Sequence, residues 1–390
     1  MNHSTSRAAL AQPPRFAPRV ALQVEVVDNI VGLLPHLASW ESLARRALAP
    51  NPFLEPWLLL PAARHLASSN ELLFALVHDQ DARLLGFFPL RKRSRFKGMP
   101  MRVLELWKHS NCFLCTPLLD ADEAETALVA LLSWARRDKI GSGLIDTPLV
   151  NGDGPFPQAF ADACARLGQH ALVDEHHERA FLKRTTSADQ YLAATLSTGN
   201  CKELRRQRRR LAEQGHLESR TLRSGDDVDA WIRGFLDLEA SGWKGKQATA
   251  LANDASQRAF FTEMVREGTE RGRVALLGLF LDGRPLALKC NLLAPPGAFA
   301  FKIAYDESFA RFSPGTQLEL DNIRWLHEQP NLLWMDSCAV AGHFMIERLW
   351  RERRVMQSSW LSTGRWAGNL VLAGLPLARA ARRWLRCARS

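Results

Sequence analysis

The sequence predicts an α+β fold of two tandem units, each a mixed, mostly antiparallel sheet flanked by helices. Two stretches, Leu72–Leu90 (LLFALVHDQDARLLGFFPL) and Val274–Leu293 (VALLGLFLDGRPLALKCNLL), each join two apolar runs through a polar turn containing Asp, which is the pattern of a hairpin. After each hairpin the same series recurs. A further strand (Arg102–Trp107; Ala298–Tyr305) leads to a helix (Asp122–Asp138; Gly315–Glu328). A short apolar strand (Gly143–Thr147; Asn331–Ser337) and another helix (Phe156–Leu167; Phe344–Glu352) follow. This repetition implies an internal duplication.

Taken in chain order, MNHSTSRAALAQPPRFAPR lacks a continuous apolar run, so residues 1–19 read as a disordered leader and not a signal peptide. The first unit is expected over residues 20–180 and the second over 185–358, with a join near 175–200. At the join, GNCKELRRQRRRLAEQG forms a basic amphipathic helix, with Lys202, Arg205, Arg206, Arg209 and Arg210 on adjoining faces and Leu204 and Leu211 on another. A solvated face and a phosphate-contacting face both fit that pattern.

The last segment, residues 360–390, sets Trp360, Trp366 and Trp384 beside Leu370, Val371 and Leu372 and a late run of arginines. Gly374 and Pro376 predict two short segments there. They are suited either to an anionic membrane interface or to packing on the protein. No run of 18 apolar residues occurs, so no ordinary membrane-spanning helix is expected.

The balance of 51 Lys+Arg against 41 Asp+Glu gives a net charge of +10 and favours an anionic partner without naming it. Seven cysteines without a regular framework argue against a secreted disulfide scaffold. Cys112 and Cys115 make one CxxC with no second pair, so apolar packing is expected there and no metal.

Polar residues of the second unit cluster where strands end and helices begin. Phe299, Phe301, Ile303 and Tyr305 alternate along a strand that ends at Lys302, Tyr305 and Asp306. Ser313, Pro314, Gly315 and Thr316 then open a helix whose first N–H groups are donors for an anion. Glu239, Trp243 and Lys244 lie in FLDLEASGWKGKQATA, where Gly242 and Gly245 let a loop pass close to a ligand. Asp336, Ser337 and Cys338 end the next strand, and His343 follows Gly342 at a helix start. Cys338 reads as a buried small hydrophobe and not as a nucleophile.

The runs LEASGWKGKQATA, LFLDGRPLALKCNL, FKIAYDESFARFSPGTQLEL and MDSCAVAGHFMIERLW strongly resemble the GNAT-fold acyltransferases often labelled BioF2-like or CelD-like. NPFLEPW, Asn51 to Trp57, is similar to that family's opening motif. The resemblance is dense over residues 185–355 and looser over 20–180, where it agrees with the duplicated fold of FemABX enzymes. It implies two GNAT-like domains and transfer of an acyl group from a coenzyme A thioester to an amine. The family's pyrophosphate loop, Gln/Arg-x-x-Gly-x-Gly/Ala, is replaced here by RFSPG, Arg311–Gly315, with one glycine.

The family offers no single base to carry over; from their positions, Glu239 or His343 is the candidate base, Asp336 its orienting partner and Tyr305 a donor to the departing sulfur. Ser313, Pro314, Gly315 and Thr316 would bind the pyrophosphate, and Trp243, Lys244, Lys302 and Asp306 the substrate. The expected acceptor is an amine of an envelope component, either an amino sugar of a polysaccharide or a long-chain amine such as a sphingoid base. The protein is then cytoplasmic, with peripheral contact to the inner face of an anionic membrane. Two other readings stay open: an aminoacyl transferase that uses charged tRNA, and a non-catalytic GNAT-like binding module in polysaccharide assembly.

Overall fold

The chain builds a single sheet that runs through both halves of the duplication. The computed structural model describes residues 22–68 and 71–387, and the leader expected over residues 1–19 lies outside them. The first half comprises β1 (Gln23–Val27), α1 (Leu37–Arg45), α2 (Pro56–Leu66), β2 (Leu72–His78), β3 (Leu84–Arg93), β4 (Val103–Leu106), β5 (Leu118–Leu119), α3 (Ala124–Arg137), β6 (Leu144–Asn151), α4 (Pro155–Arg166) and β7 (Ala171–Lys183). Helices α5 (Ala188–Thr195) and α6 (Thr198–Ala212) connect it to the second half. There follow β8 (Leu217–Thr221), α7 (Val228–Ser241), α8 (Trp243–Lys246), α9 (Ala255–Glu270), β9 (Val274–Leu281), β10 (Arg284–Ala294), β11 (Gly297–Tyr305), α10 (Pro314–Glu328), β12 (Trp334–Asp336), α11 (Ile346–Leu349), β13 (Glu352–Ser362) and α12 (Trp366–Cys387).

Both expected hairpins form. The β9–β10 turn has positive φ at Asp282 (50°) and Gly283 (78°), the pair of dihedrals that an Asp-Gly hairpin turn needs to match the twist of its strands. Helices start where short polar side chains cap them: Ser197 Oγ accepts from Asn200 N–H at 3.2 Å, and Asp227 Oδ1 from Ala230 N–H at 3.0 Å.

Strand order is β1-β2-β3-β4-β6-β13-β7-β12-β11-β10-β9-β8, with β5 on β3. Pairing is antiparallel apart from β4–β6 and β11–β12. The order contains a reciprocal exchange. Strand β7 follows the first unit's last helix yet pairs with β12 of the second, while β13 follows the second unit and pairs with β6 of the first. The two exchanged strands pair with each other from Glu352 opposite Phe181 to Leu361 opposite Ala171. The main core is correspondingly shared, with Phe53, Trp57 and Leu104 of the first half packed in one cluster with Phe260, Phe299 and Phe301 of the second.

Three expectations are corrected. The helix expected over Phe344–Glu352 is only Ile346–Leu349, because Glu352 already begins the central strand β13, which also takes in Trp360 from the expected tail. That tail is one helix, α12, and not two segments. Pro376 sits inside it, and the body supports the turns before it through Val371, Leu372 and Leu375. The regular alternation over Phe299–Tyr305 is broken: Cys290 faces Lys302 while Asn291 faces Ala300, which leaves Phe301 as the extra residue of a β-bulge. No helix among the described residues is long and apolar enough to cross a membrane.

Candidate functional site

The bulge and the short partner strand together shape the centre of the second half. β12 pairs with β11 only over Gly297–Phe299, so β11 from Ala300 to Tyr305 runs on without β12 beside it. Because the bulge resets the alternation, Phe299 and Phe301 pack on Phe53, with ring centroids 5.8 and 6.3 Å away. Ile303 and Tyr305 turn to the opposite face and join Phe312 and Leu318. Lys302 shares the face of Phe301, its Nζ 5.2 Å from that ring.

Tyr305 carries the site from the sheet to α10. A cavity of about 30 Å³ is lined by Leu238, Glu239, Gly242, Trp243, Tyr305 and Glu307, together with Ile303 and Ala304. A Cβ on Gly315 would lie 3.1 Å from Cδ1 of Tyr305, so a side chain there would need the phenol ring to yield by a few tenths of an ångström. Ser313, at the N-cap, adopts φ 52° and makes no side-chain cap. Gly315 and Thr316 therefore offer first-turn N–H groups at the positive end of a 15-residue helix, next to the end of β11. Such donors suit an anionic group.

Glu239 is buried, and one of its oxygens accepts from Leu251 N–H at 2.8 Å, which pins the loop following α8. Glu307 accepts from Trp243 N–H at 2.6 Å and pairs with Lys246 at 3.2 Å. The structure thus gathers Glu239, Trp243 and Tyr305, with Gly315 behind the ring.

The other predicted residues lie elsewhere. The Asp336 carboxylate does not serve an imidazole. Its oxygens face Arg179 (2.7 Å) and Arg354 (2.8 Å) and accept from Cys338 N–H (2.9 Å), and these two guanidinium groups hold its carboxyl below the usual range despite burial. Burial, reinforced by Asp336, pushes the Cys338 thiol far up and leaves it inert. Asp306 caps the turn after β11, accepting from Ser308 N–H (2.9 Å) and Oγ (2.6 Å) and pairing with Arg284. His343 does not line the cavity around Glu239. It stacks on exposed Phe344, and its buried Nδ1 has no hydrogen-bond partner. Lys244 lies on α8.

Two features escaped the sequence reading. His109, three residues past β4, is half-buried between Trp107 and Phe260, with ring centroids 4.8 and 5.8 Å away and its Nε2 enclosed. Burial, with the Lys302 cation adding to it, lowers its pKa to about 3. The second is the pair of Lys289 and Glu319, 2.8 Å apart with side chains 2% and 0% exposed; Glu319 also accepts from Trp350 Nε1 at 3.1 Å. A lysine interrupting the apolar run LALKCNLL was the one available signal for it. Two cavities of about 850 Å³ lie farther off, under edge strand β8 and between α7 and α9, and none of the predicted site residues lines either.

Residues 200–342 match the family described as acetyltransferase (GNAT) domain. No curated protein is similar to the chain at a significant level. Among solved structures, FemX is similar at 10% identity and TM-score 0.56, over 87% of this chain and 97% of its own. The C-terminal DUF2156 domain of a putative lysylphosphatidylglycerol synthetase from Agrobacterium fabrum is similar at 11% identity and TM-score 0.53, over 88% and 96%. L-PGS from Bacillus licheniformis follows at 10% and 0.50, over 86% and 95%. At such identities the likeness is one of fold, and it spans both halves of the duplication.

Proposed function

We propose that the protein, whose residues 200–342 match the GNAT acetyltransferase domain family, is an acyl-CoA-dependent N-acyltransferase acting on an amine of an envelope component. The observation that supports this reading most is the juxtaposition of Glu239, Tyr305 and the Gly315 turn of α10 at the end of a strand that runs on beyond its pairing with β12. Acyl-CoA supplies the activated acyl group as a thioester. Glu239 is placed to take the proton that the acceptor amine must lose, and the Tyr305 hydroxyl to give one to the departing thiolate. The N–H groups of Gly315 and Thr316 would hold its pyrophosphate.

The last helix supports a lipid amine over a soluble one. Trp366, Leu370 and Leu377 are 77%, 63% and 73% exposed and fall within about 40° of one another around α12. Val371, Leu372 and Leu375 pack instead against Phe96 and Trp360. An exposed apolar stripe on a helix already anchored by its other face, in a chain of net charge +10, suits an anionic membrane surface.

A second reading, an aminoacyl donor carried by tRNA, is favoured by α6, where Lys202, Arg205, Arg206, Arg209 and Arg210 are exposed. Thermal-shift and calorimetric titration with coenzyme A, acetyl-CoA and palmitoyl-CoA tests the first reading. Saturable stabilisation supports it, and preference for palmitoyl-CoA directs the acceptor search to lipid amines. No response to any of the three, with salt-sensitive tRNA binding, would replace it with the second.

A further inference from the structure

We propose that Glu25, His36 and His78 form a binding site for one divalent transition metal of the zinc type, at the outer edge of the first unit and remote in sequence from the acyl-transfer residues. Glu25 lies on edge strand β1, His78 ends the neighbouring strand β2, and His36 precedes α1. One ligand atom from each lies within 4.8 Å of the other two.

Both imidazole nitrogens stand back from the carboxylate, each facing a different one of its oxygens, at separations longer than close hydrogen bonds. Nε2 of His36 is 3.3 Å from Oε1 of Glu25, and Nε2 of His78 is 3.5 Å from Oε2. Charge-assisted N–H···O bonds close to about 2.7–2.9 Å. Two ligands each about 2.0–2.1 Å from a tetrahedral ion stand about 3.3–3.5 Å apart. The pair of His65 with Glu263 shows what direct contact looks like in the same protein, at 2.6 Å.

A second observation points the same way. Nε2 of His78 is buried and has no hydrogen-bond partner. This imidazole nitrogen is turned toward a carboxylate, with a second imidazole whose ring centroid lies 5.8 Å away. Two imidazoles and one carboxylate form a donor set that zinc accepts, with water in the fourth position. The ion would fasten β1, β2 and the entry to α1 at the edge of the sheet, beyond which no further strand lies among the described residues.

Titration of the untagged full-length chain with Zn²⁺ by calorimetry, and with Co²⁺ by visible absorption, tests the site. One ion per chain is expected, with a raised thermal midpoint. His36→Ala, His78→Ala and Glu25→Gln should each weaken binding by at least about tenfold, while His65→Ala leaves it unchanged. Because the Glu25 side chain is 42% exposed, Glu25→Gln keeps the test valid if a histidine variant folds poorly. Absence of binding to the wild-type chain, or binding that survives Glu25→Gln and His36→Ala, would overturn the proposal.

Discussion

Arg179 and Asp336 meet in the interior, with Nη2 2.7 Å from Oδ2, Nε 2.7 Å from Oδ1, and side chains 2% and 0% exposed. They belong to different halves of the duplication, Arg179 on the exchanged strand β7 and Asp336 on β12. Arg354 of β13 completes the cluster. A buried charge left without its partner costs far more than an exposed one, because no water replaces the lost contact. Asp336→Ala should therefore destabilise the protein by about 3–5 kcal/mol, read as a lower urea midpoint at unchanged slope. The native carboxyl titrates below its ordinary value of 3.8. Its contribution is thus complete above that pH and is lost as pH falls through the native value. Asp336→Ala should lack that acid-side loss, and a near-neutral midpoint equal to wild type would refute the assignment.

Glu239 is the candidate base that reaches the cavity beside Tyr305. Glu239→Gln keeps an acceptor for Leu251 N–H but cannot take a proton, so kcat should fall at least about tenfold with little change in thermal midpoint. His343→Ala should cost less, since His343 stands outside that cavity. Equal losses in the two variants would restore His343 to the proton path.

Gly315 meets the Tyr305 ring at a distance that leaves a Cβ only 3.1 Å. Gly315→Ala should shift the first turn of α10 and weaken a charge-assisted contact of about 1.5–3 kcal/mol, which raises KM for acyl-CoA roughly 10- to 100-fold. The effect belongs in KM more than in kcat. The reverse split would mean that the turn does not hold the donor.

His109 gives a pH signature on the other side of neutrality. Its native pKa is lowered from 6.5 to about 3, so the unfolded chain takes up the proton first as pH drops. Stability should decline from about pH 6.5 towards 3, at up to about 1.4 kcal/mol per pH unit. His109→Phe, placed between Trp107 and Phe260, should flatten that decline in denaturant titrations across pH. An unaltered slope would show that other groups govern it.

The exposed stripe on α12 predicts membrane contact. Serine at Trp366, Leu370 and Leu377 together should reduce co-sedimentation with anionic vesicles while leaving the thermal midpoint near wild type, because Val371, Leu372 and Leu375 still anchor the helix. Removing the chain from Trp360 onward would be a poorer test, since Trp360 is 3% exposed and packs edge-on against Phe96 at 5.0 Å. Vesicle binding unchanged in the triple variant would remove the membrane from the proposal.

Much of the site was legible because its signals are local. Ser313–Thr316 announce a helix start through Pro and Gly, and the Asp-Gly turn of the second hairpin through its required dihedrals. Lys302 and His109 were not legible as neighbours, because their approach depends on the bulge at Phe301 and on Phe260 of α9 packing against the His109 ring. Asp336 was legible as polar at a strand end, but its role was misread for want of its partners.

The sequence by itself determined the duplication, the two hairpins, and the residues that end strands in the second half. Those features follow from periodicity and turn chemistry within a few residues. Only the tertiary structure decided that β7 and β13 change places, that Phe301 resets the faces of β11, and that Asp336 closes on Arg179, 157 positions away. Each depends on which distant segments pack together. Strand pairing is chosen by the burial of whole faces, and no local pattern records it.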